Sequence, residues 1–287
     1  MTLTTRYAHF VVNPSKPEAI AAATEIGELL RASDFLITTS SEISISGIRQ
    51  VEITESFEAE IVIVFGGDGT ILRGAEVSRT RNIPLLGVNV GHVGFMAEVK
   101  RPTNAAISKS IIAKSYAVEE RMVLGYQVWR SGKEIANGWA LNEVTVERDG
   151  TTMVELFVQI DDRPLSRWGC DGVICATPTG STAYAFSAGG PVLWPEIDAL
   201  VLLPISAHAL FSRPMVISPK SKIVIEVESD DALLSADALR RFSLVKGDQV
   251  LATRSQTIVK LAHVEPTLFT DRLVAKFKLP VEGWRGE

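Results

Sequence analysis

Cysteine is nearly absent: Cys170 and Cys175 are the only two in 287 residues, which excludes a disulfide framework. Their separation lacks the C-x-x-C spacing of a zinc or redox site, so two free thiols in a reducing compartment are expected. The four histidines, His9, His92, His208 and His263, show no metal-ligand spacing. No apolar run approaches the ~18 residues needed to span a bilayer. The stretch Met1 to His9 is polar and lacks the apolar region of a signal peptide. A cytoplasmic protein with no membrane partner is expected. There is no basic excess either. Lys and Arg total 29 against 34 Asp and Glu, a net charge of −5, so a nucleic-acid partner is not expected. Two nucleotide-binding signatures are missing as well. There is no G-x-x-x-x-G-K-[ST], hence no P-loop, and no G-x-G-x-x-G, hence no dinucleotide fingerprint of the usual kind.

Hydrophobic residues make up 46% and charged residues 22%, a composition that buries a core rather than staying disordered. Over the first hundred residues short apolar runs alternate with helical patterns. Tyr7–Val12 and Phe35–Thr39 read as strands, and Ala19 to Ala32 reads as a helix. Ile61–Phe65 is apolar at every position, as a strand buried on both faces requires. A helix is expected from Ile71 to about Arg79, a strand over Ile83–Val90, and a helix over Asn104–Lys114. This alternation implies an open, Rossmann-like α/β sheet. Ser40–Glu55 has no clear pattern. Beyond residue 103 the character changes. Val118–Arg130, Ile135–Glu147 and Val154–Ile160 are β-rich with turn residues between them. Met215–Ile217, Lys222–Val227, Phe242–Val245 and Ile258–Leu261 continue the pattern, which suggests an all-β layered domain. The expected division is an α/β domain over 1–103 and a β-sandwich over 104–267. Residues 268–287 return to the first domain, in a short helix with Thr270 at its N-cap.

Glycine is concentrated. Twelve of the 21 glycines fall within Gly66–Gly94 and Gly169–Gly190, where an even spread puts about four; glycine admits positive φ and close approach of backbone to a ligand. The first window, Gly66-Gly67-Asp68-Gly69-Thr70, follows the buried strand and precedes a helix. Main-chain N–H groups there suit phosphate. Asp68 would repel phosphate unless it holds a metal or accepts a proton, and the residues alone leave both roles open. The second window runs from Gly169 to Tyr184, and its hydroxyls at Thr177, Thr179, Ser181, Thr182 and Tyr184 suit phosphate or sugar oxygens. A helix is expected to start near Ser181 and to end at Ala188-Gly189-Gly190-Pro191. Two such windows in different domains suggest one ligand served by both.

These residues carry a resemblance. Gly66–Thr70 resembles the signature shared by NAD kinases, diacylglycerol kinases, sphingosine kinases and phosphofructokinases. Gly91-His92-Val93-Gly94-Phe95, Asn142-Glu143, the run Thr177–Tyr184 and Gly189-Gly190-Pro191 narrow the likeness to the NAD kinase family. The ending, Asp271-Arg272-Leu273 through Gly283-Trp284-Arg285-Gly286, resembles its actinobacterial branch. The resemblance implies transfer of phosphate from ATP, or from polyphosphate, to the 2′-hydroxyl of the adenosine ribose of NAD, with Mg2+ as cofactor. It implies Asp68 as proton acceptor and Gly66, Gly67, Gly69 and Thr70 as the phosphate-binding loop. NAD would also touch Gly69, Arg73, Phe95, Asn142, Glu143, Asp171, Thr182, Ala183, Tyr184 and Ser187, partly from a neighbouring subunit of a homodimer or homotetramer. One departure stands out. The family often has Asp-Gly or Asp-His in the late strand region, where this chain has Asp237-Ala238, so no contact is assigned at 238. Two other classes share part of the pattern. A diacylglycerol-type lipid kinase carries the GGDGT loop but does not need Gly180–Tyr184, and a non-catalytic regulator would bind NAD without forming NADP.

Overall fold

Strand and helix alternate through the first hundred residues and build a parallel sheet. A computed structural model describes residues 5–53, 55–91, 94–97 and 101–281. It divides the chain into two units, one running to Glu120 and resuming at Val259, the other Arg121–Ile258. In order, the elements are β1 (Arg6–Val12), α1 (Pro17–Arg31), β2 (Phe35–Thr39), β3 (Arg49–Gln50), β4 (Ile61–Phe65), α2 (Asp68–Arg81), β5 (Leu85–Val88), α3 (Asn104–Ala113) and β6 (Ala117–Arg121). Then come β7 (Leu124–Arg130), β8 (Lys133–Ala140), β9 (Glu143–Arg148), β10 (Val154–Ile160), β11 (Arg163–Cys170), β12 (Gly172–Ala176), a 3-10 turn (Gly180–Thr182) and α4 (Tyr184–Ser187). The remainder is β13 (Leu200–Ile205), β14 (Met215–Ile217), β15 (Ile223–Val227), β16 (Ala232–Ala236), β17 (Arg240–Leu244), β18 (Gln249–Arg254), β19 (Val259–His263) and α5 (Phe269–Phe277).

The first unit is a seven-stranded sheet in the order β3-β2-β1-β4-β5-β19-β6. Its pairings from β3 through β19 are all parallel. All five residues of β4 are buried, as the unbroken apolar run requires. α1 covers the sheet with Ala19, Ala22, Ala23, Ile26 and Leu30, a helical stripe of small and branched side chains. The chain leaves β1 toward β2 and later leaves β4 toward β5, so the sheet reverses its direction of growth between β1 and β4. Ligands of open α/β sheets bind beyond the strand ends at such a point.

The unit does not stop at residue 103. Ile107 and Ile111 of α3 enter the same core as Ala19, Ala23 and Ile26 of α1. The β-rich run Val118–Arg130 breaks after Arg121, and β6 stays in the first sheet. Val259–His263 also joins that sheet, with Leu261 opposite Leu85. Apolar alternation identifies a strand but not the sheet it enters, which explains both differences.

The second unit is a β-sandwich. Its two six-stranded sheets run β11-β10-β15-β18-β7-β8 and β14-β13-β12-β9-β16-β17. Leu124, Val128, Leu156 and Ile225 of one sheet share a core with Val144, Val146, Val173 and Leu202 of the other. Cys170 and Cys175 are free and buried in that core. Burial pushes their thiols up to about 11 and about 12, which leaves them unreactive. No helix among the described residues is long and apolar enough to cross a membrane.

Candidate active site

The GGDGT loop stands at the sheet's reversal point, where the Asn13 N–H after β1 donates to the Phe65 carbonyl of β4 at 3.0 Å. α2 begins at Asp68, three residues before the helix expected from Ile71. Gly67 is its extended N-cap, and an acid in the first turn faces the positive end of the helix. The three glycines of the loop differ in what constrains them. A Cβ at Gly66 would lie 2.3 Å from Thr70 Oγ1, so the buried Thr70 side chain occupies that space. At Gly67 and Gly69 a Cβ would meet nothing within 4 Å. Neither has a positive φ. Among the described residues no neighbour therefore demands glycine at 67 or 69, and the space beside both backbones fits a ligand that approaches closely.

The Asp68 carboxylate is held in place. Its Oδ2 accepts from the Phe95 N–H at 3.1 Å, and its Oδ1 accepts from the Met96 N–H at 3.3 Å. A Cβ on Gly94 would lie 2.3 Å from Oδ1, so only glycine lets this segment close on the acid. Phe95 itself is buried, with its ring 6.1 Å from that of Phe269 and 5.5 Å from that of Phe277 on α5. Its backbone, rather than its ring, meets the loop. Arg73 is exposed on α2. Sequence reasoning passed over Lys16, the residue before α1. A Cβ on Gly91 would lie 3.0 Å from its Nζ, which brings a cation to the same sheet edge. His92 and Val93, and the ending Gly283-Trp284-Arg285-Gly286, lie outside the described residues.

In the second unit the chain passes from β8 in one sheet to β9 in the other at Leu141-Asn142. The buried Asp237 ties down this corner. It accepts from the N–H groups of Leu141 and Asn142, each at 2.7 Å, and of Glu143 at 3.3 Å. Gly180 packs against the same corner, where a Cβ would lie 2.1 Å from the Asn142 carbonyl oxygen. The hydroxyl-rich window separates into two sets. Thr177, Thr179 and Ser181 are buried. Thr177 Oγ1 donates to the Leu141 carbonyl at 2.6 Å, and Ser181 Oγ donates to the Pro178 carbonyl at 2.7 Å. Thr179 Oγ1 accepts from Arg121 Nη1 at 3.3 Å, so all three buried hydroxyls are engaged within the protein, whereas the expectation had them facing phosphate or sugar oxygens. Tyr184 and Ser187 are exposed, and Thr182 and Ala183 are half-buried. The helix expected near Ser181 is a 3-10 turn followed by the single turn of α4, closed by Gly189 at φ 85°.

A cavity of about 340 Å3 in this unit is lined by Glu143, Thr145, Glu147, Tyr184, Asp237 and Arg241, among others. Burial, then the neighbouring Asp237 carboxylate, pushes Glu143 up to about 8. Burial thus favours the protonated form of Glu143, and its Oε2 has no hydrogen-bond partner among the described residues. A protonated carboxyl here can donate to a ligand. The Tyr184 hydroxyl donates to Glu147 Oε2 at 3.0 Å. Asp171 pairs with Arg148 at 2.7 Å. Glu147, Arg148 and Arg241 belong to no motif. In the sequence Asp237 stands out only as the retained acid of the departed Asp-Gly pair, with no role assigned to it.

Comparison with known proteins gives a consistent result. Family models described as the ATP-NAD kinase N-terminal domain and C-terminal domain match residues 9–116 and 141–264. A protein named NAD kinase from Thermobifida fusca is 46% identical, covering 99% of this chain and 92% of its own length. One of the same name from Mycobacterium tuberculosis is 50% identical over 79% of this chain and 75% of its own. The fold is similar to yeast NADH kinase complexed with NADH (TM-score 0.85, 20% identity, covering 99% of this chain and 90% of that one). It is also similar to an Archaeoglobus fulgidus NAD kinase in complex with ATP (TM-score 0.69, 22% identity, covering 96% and 99%).

Proposed function

Because this chain belongs to the ATP-NAD kinase family, we propose that it phosphorylates NAD to NADP, transferring the γ-phosphoryl group of ATP to the 2′-hydroxyl of the adenosine ribose. One observation carries the reading: a carboxylate, oriented by two main-chain amides, stands between two glycines whose backbones face open space at the sheet's reversal point. Phosphoryl transfer needs little covalent help from protein, so position and charge neutralisation supply most of the acceleration. Gly66, Gly67, Gly69 and Thr70 present main chain to the phosphates, with Lys16 and Arg73 as nearby cations. The 2′-oxygen forms its bond to the γ-phosphorus as the bond to the bridging oxygen breaks, and ADP leaves. Asp68 accepts the proton of the attacking hydroxyl. The proton moves late in a loose transition state, so a weak base within ~3 Å is sufficient.

The same family reading makes Asn142, Asp171, Thr182, Ala183, Tyr184 and Ser187 NAD contacts, partly supplied by a neighbouring subunit. Glu143 donates its proton in a hydrogen bond. Phe95 acts from the protein interior by shaping the loop. Among the described residues no three His, Cys, Asp or Glu side chains gather to hold a metal. Asp68 is the one carboxylate in the loop, and that donor set fits a Mg2+ bound mainly by phosphate oxygens and water. When bound, Mg2+ offsets charge on the phosphates. Exposed Phe186, Trp194, Leu210 and Phe211 on the second unit support a homodimer or homotetramer. The free thiols and the choice of substrates support a cytoplasmic location.

The test is NADP formation by purified protein with NAD and Mg2+, using ATP or polyphosphate in turn, and diacylglycerol as the rival acceptor. The reading predicts NADP with at least one donor and no lipid product. Phosphorylated lipid, or NAD binding without turnover, would refute it.

A further inference from the structure

The run Asp271-Arg272-Leu273 has no part in the chemistry above, yet Arg272 is buried, with 3% of its surface exposed. It projects from α5 into the first unit. Its Nη1 donates to the Phe95 carbonyl oxygen at 3.2 Å and lies 3.7 Å from Glu119 Oε2 on β6. Its Nη2 is 3.5 Å from His263 Nε2 at the end of β19, and that nitrogen is itself 3.2 Å from Glu119 Oε2. One guanidinium thus ties two sheet strands to the carbonyl of Phe95. The N–H of the same residue holds Asp68 Oδ2, and the next N–H, of Met96, holds Oδ1. Phe269 and Phe277, from the two ends of α5, fix the Phe95 ring.

We infer that the C-terminal helix is a clamp that aims the Asp68 carboxylate, with Arg272 as a positioning residue acting through the backbone of Phe95 and Met96. The inference rests on the kinase reading for its catalytic consequence but not for its geometry. A guanidinium bridges a carbonyl and a carboxylate with separate N–H groups, which an ammonium on a single point cannot do equally well. Loosening the clamp leaves the glycine backbones and the second unit untouched. Substrate binding therefore persists while the acid loses alignment, and misplacement by about 1 Å can cost ~100-fold in rate.

The test compares Arg272→Met, Arg272→Lys and Phe277→Ala with wild type and with Ile26→Val, a core change in α1. Amide hydrogen exchange at Phe95 and Met96 is measured without substrates. Arg272→Met is expected to speed exchange at both amides at least ~10-fold, with Arg272→Lys restoring part of the protection and Ile26→Val leaving it unchanged. In the NADP assay, kcat falls at least ~10-fold for Arg272→Met while KM for NAD and ATP stays within about twofold. If Arg272→Met fails to fold, Phe277→Ala decides by the same two readouts. Unchanged exchange at Phe95 and Met96, or a loss that falls on KM with kcat intact, overturns the clamp. Exchange reports on the clamp even if wild type makes no NADP, so failure of the clamp and failure of the kinase reading are distinguishable.

Discussion

Glu143→Gln separates electrostatics from packing in the second unit. The ordinary carboxyl value of 4.5 is pushed up to about 8 in the fold. Between those values the folded protein keeps a proton that the unfolded chain releases. Stability therefore falls as pH rises through the window. Each unit is worth about 1.4 kcal/mol, so the loss between pH 5 and pH 8 is on the order of 3 kcal/mol. Asp237, raised to about 6 from 3.8 mainly by burial, adds a slope of the same sign at lower pH. Glutamine has nearly the same shape and cannot ionise. The variant is expected to lose most of the slope above pH 5 and to exceed wild type in stability at pH 8. Urea unfolding followed by tryptophan fluorescence measures this, since four of the five tryptophans lie in Arg121–Ile258. Equal pH slopes for the two proteins would show that Glu143 is ionised in the fold and would refute the reasoning.

The glycine loop yields a paired prediction. Gly66→Ala clashes with the Thr70 side chain and should lower the melting temperature. Gly69→Ala meets no atom of the described residues and, lying in the first turn of α2, should hold or slightly raise stability while raising KM for ATP at least ~10-fold. Equal effects of the two on melting would contradict the assignment. Gly94→Ala puts a methyl against the Asp68 carboxylate and should cut kcat ~100-fold or more, read in the NADP assay. Asp237 and Ala238 both adopt left-handed backbone, φ 53° and 55°, and the Leu239 N–H donates to the Ala236 carbonyl at 3.0 Å, a type I′ hairpin turn that favours glycine. Ala238→Gly should therefore stabilise the second unit by about 1 kcal/mol, measured by urea unfolding. Chelation of Mg2+ should abolish turnover and leave the thermal melting of the substrate-free protein unchanged.

Much of the fold was legible because the parallel sheet writes itself as uninterrupted apolar runs, Ile61–Phe65 above all. The GGDGT loop was legible because glycine and acid fall between a buried strand and a helix. Sheet membership was not. Val259–His263 has the same alternation as the sandwich strands, and only its partner β5 places it elsewhere. Ser40–Glu55 escaped assignment because its described residues hold just the two-residue β3. The site was harder to read. Thr177 and Ser181 have the chemistry of ligand-binding hydroxyls, yet the bond of Thr177 to the Leu141 carbonyl is a tertiary contact that spacing does not reveal, and Ser181 turns back on the Pro178 carbonyl three residues before it while accepting from the Leu193 N–H. Asp237 lies about a hundred residues from the amides it holds. Thr270 has the right chemistry for an N-cap, but α5 starts at Phe269 with Leu268 in that position and no side-chain cap.

The central claim is that Asp68 is placed to take a proton from a ribose hydroxyl. A crystal structure with NAD bound tests it most directly. The account predicts the adenosine 2′-oxygen within about 3 Å of an Asp68 carboxylate oxygen, with the Phe95 and Met96 amides still holding that carboxylate. A 2′-oxygen bound well away from residue 68, beyond the reach of even one bridging water, would contradict it.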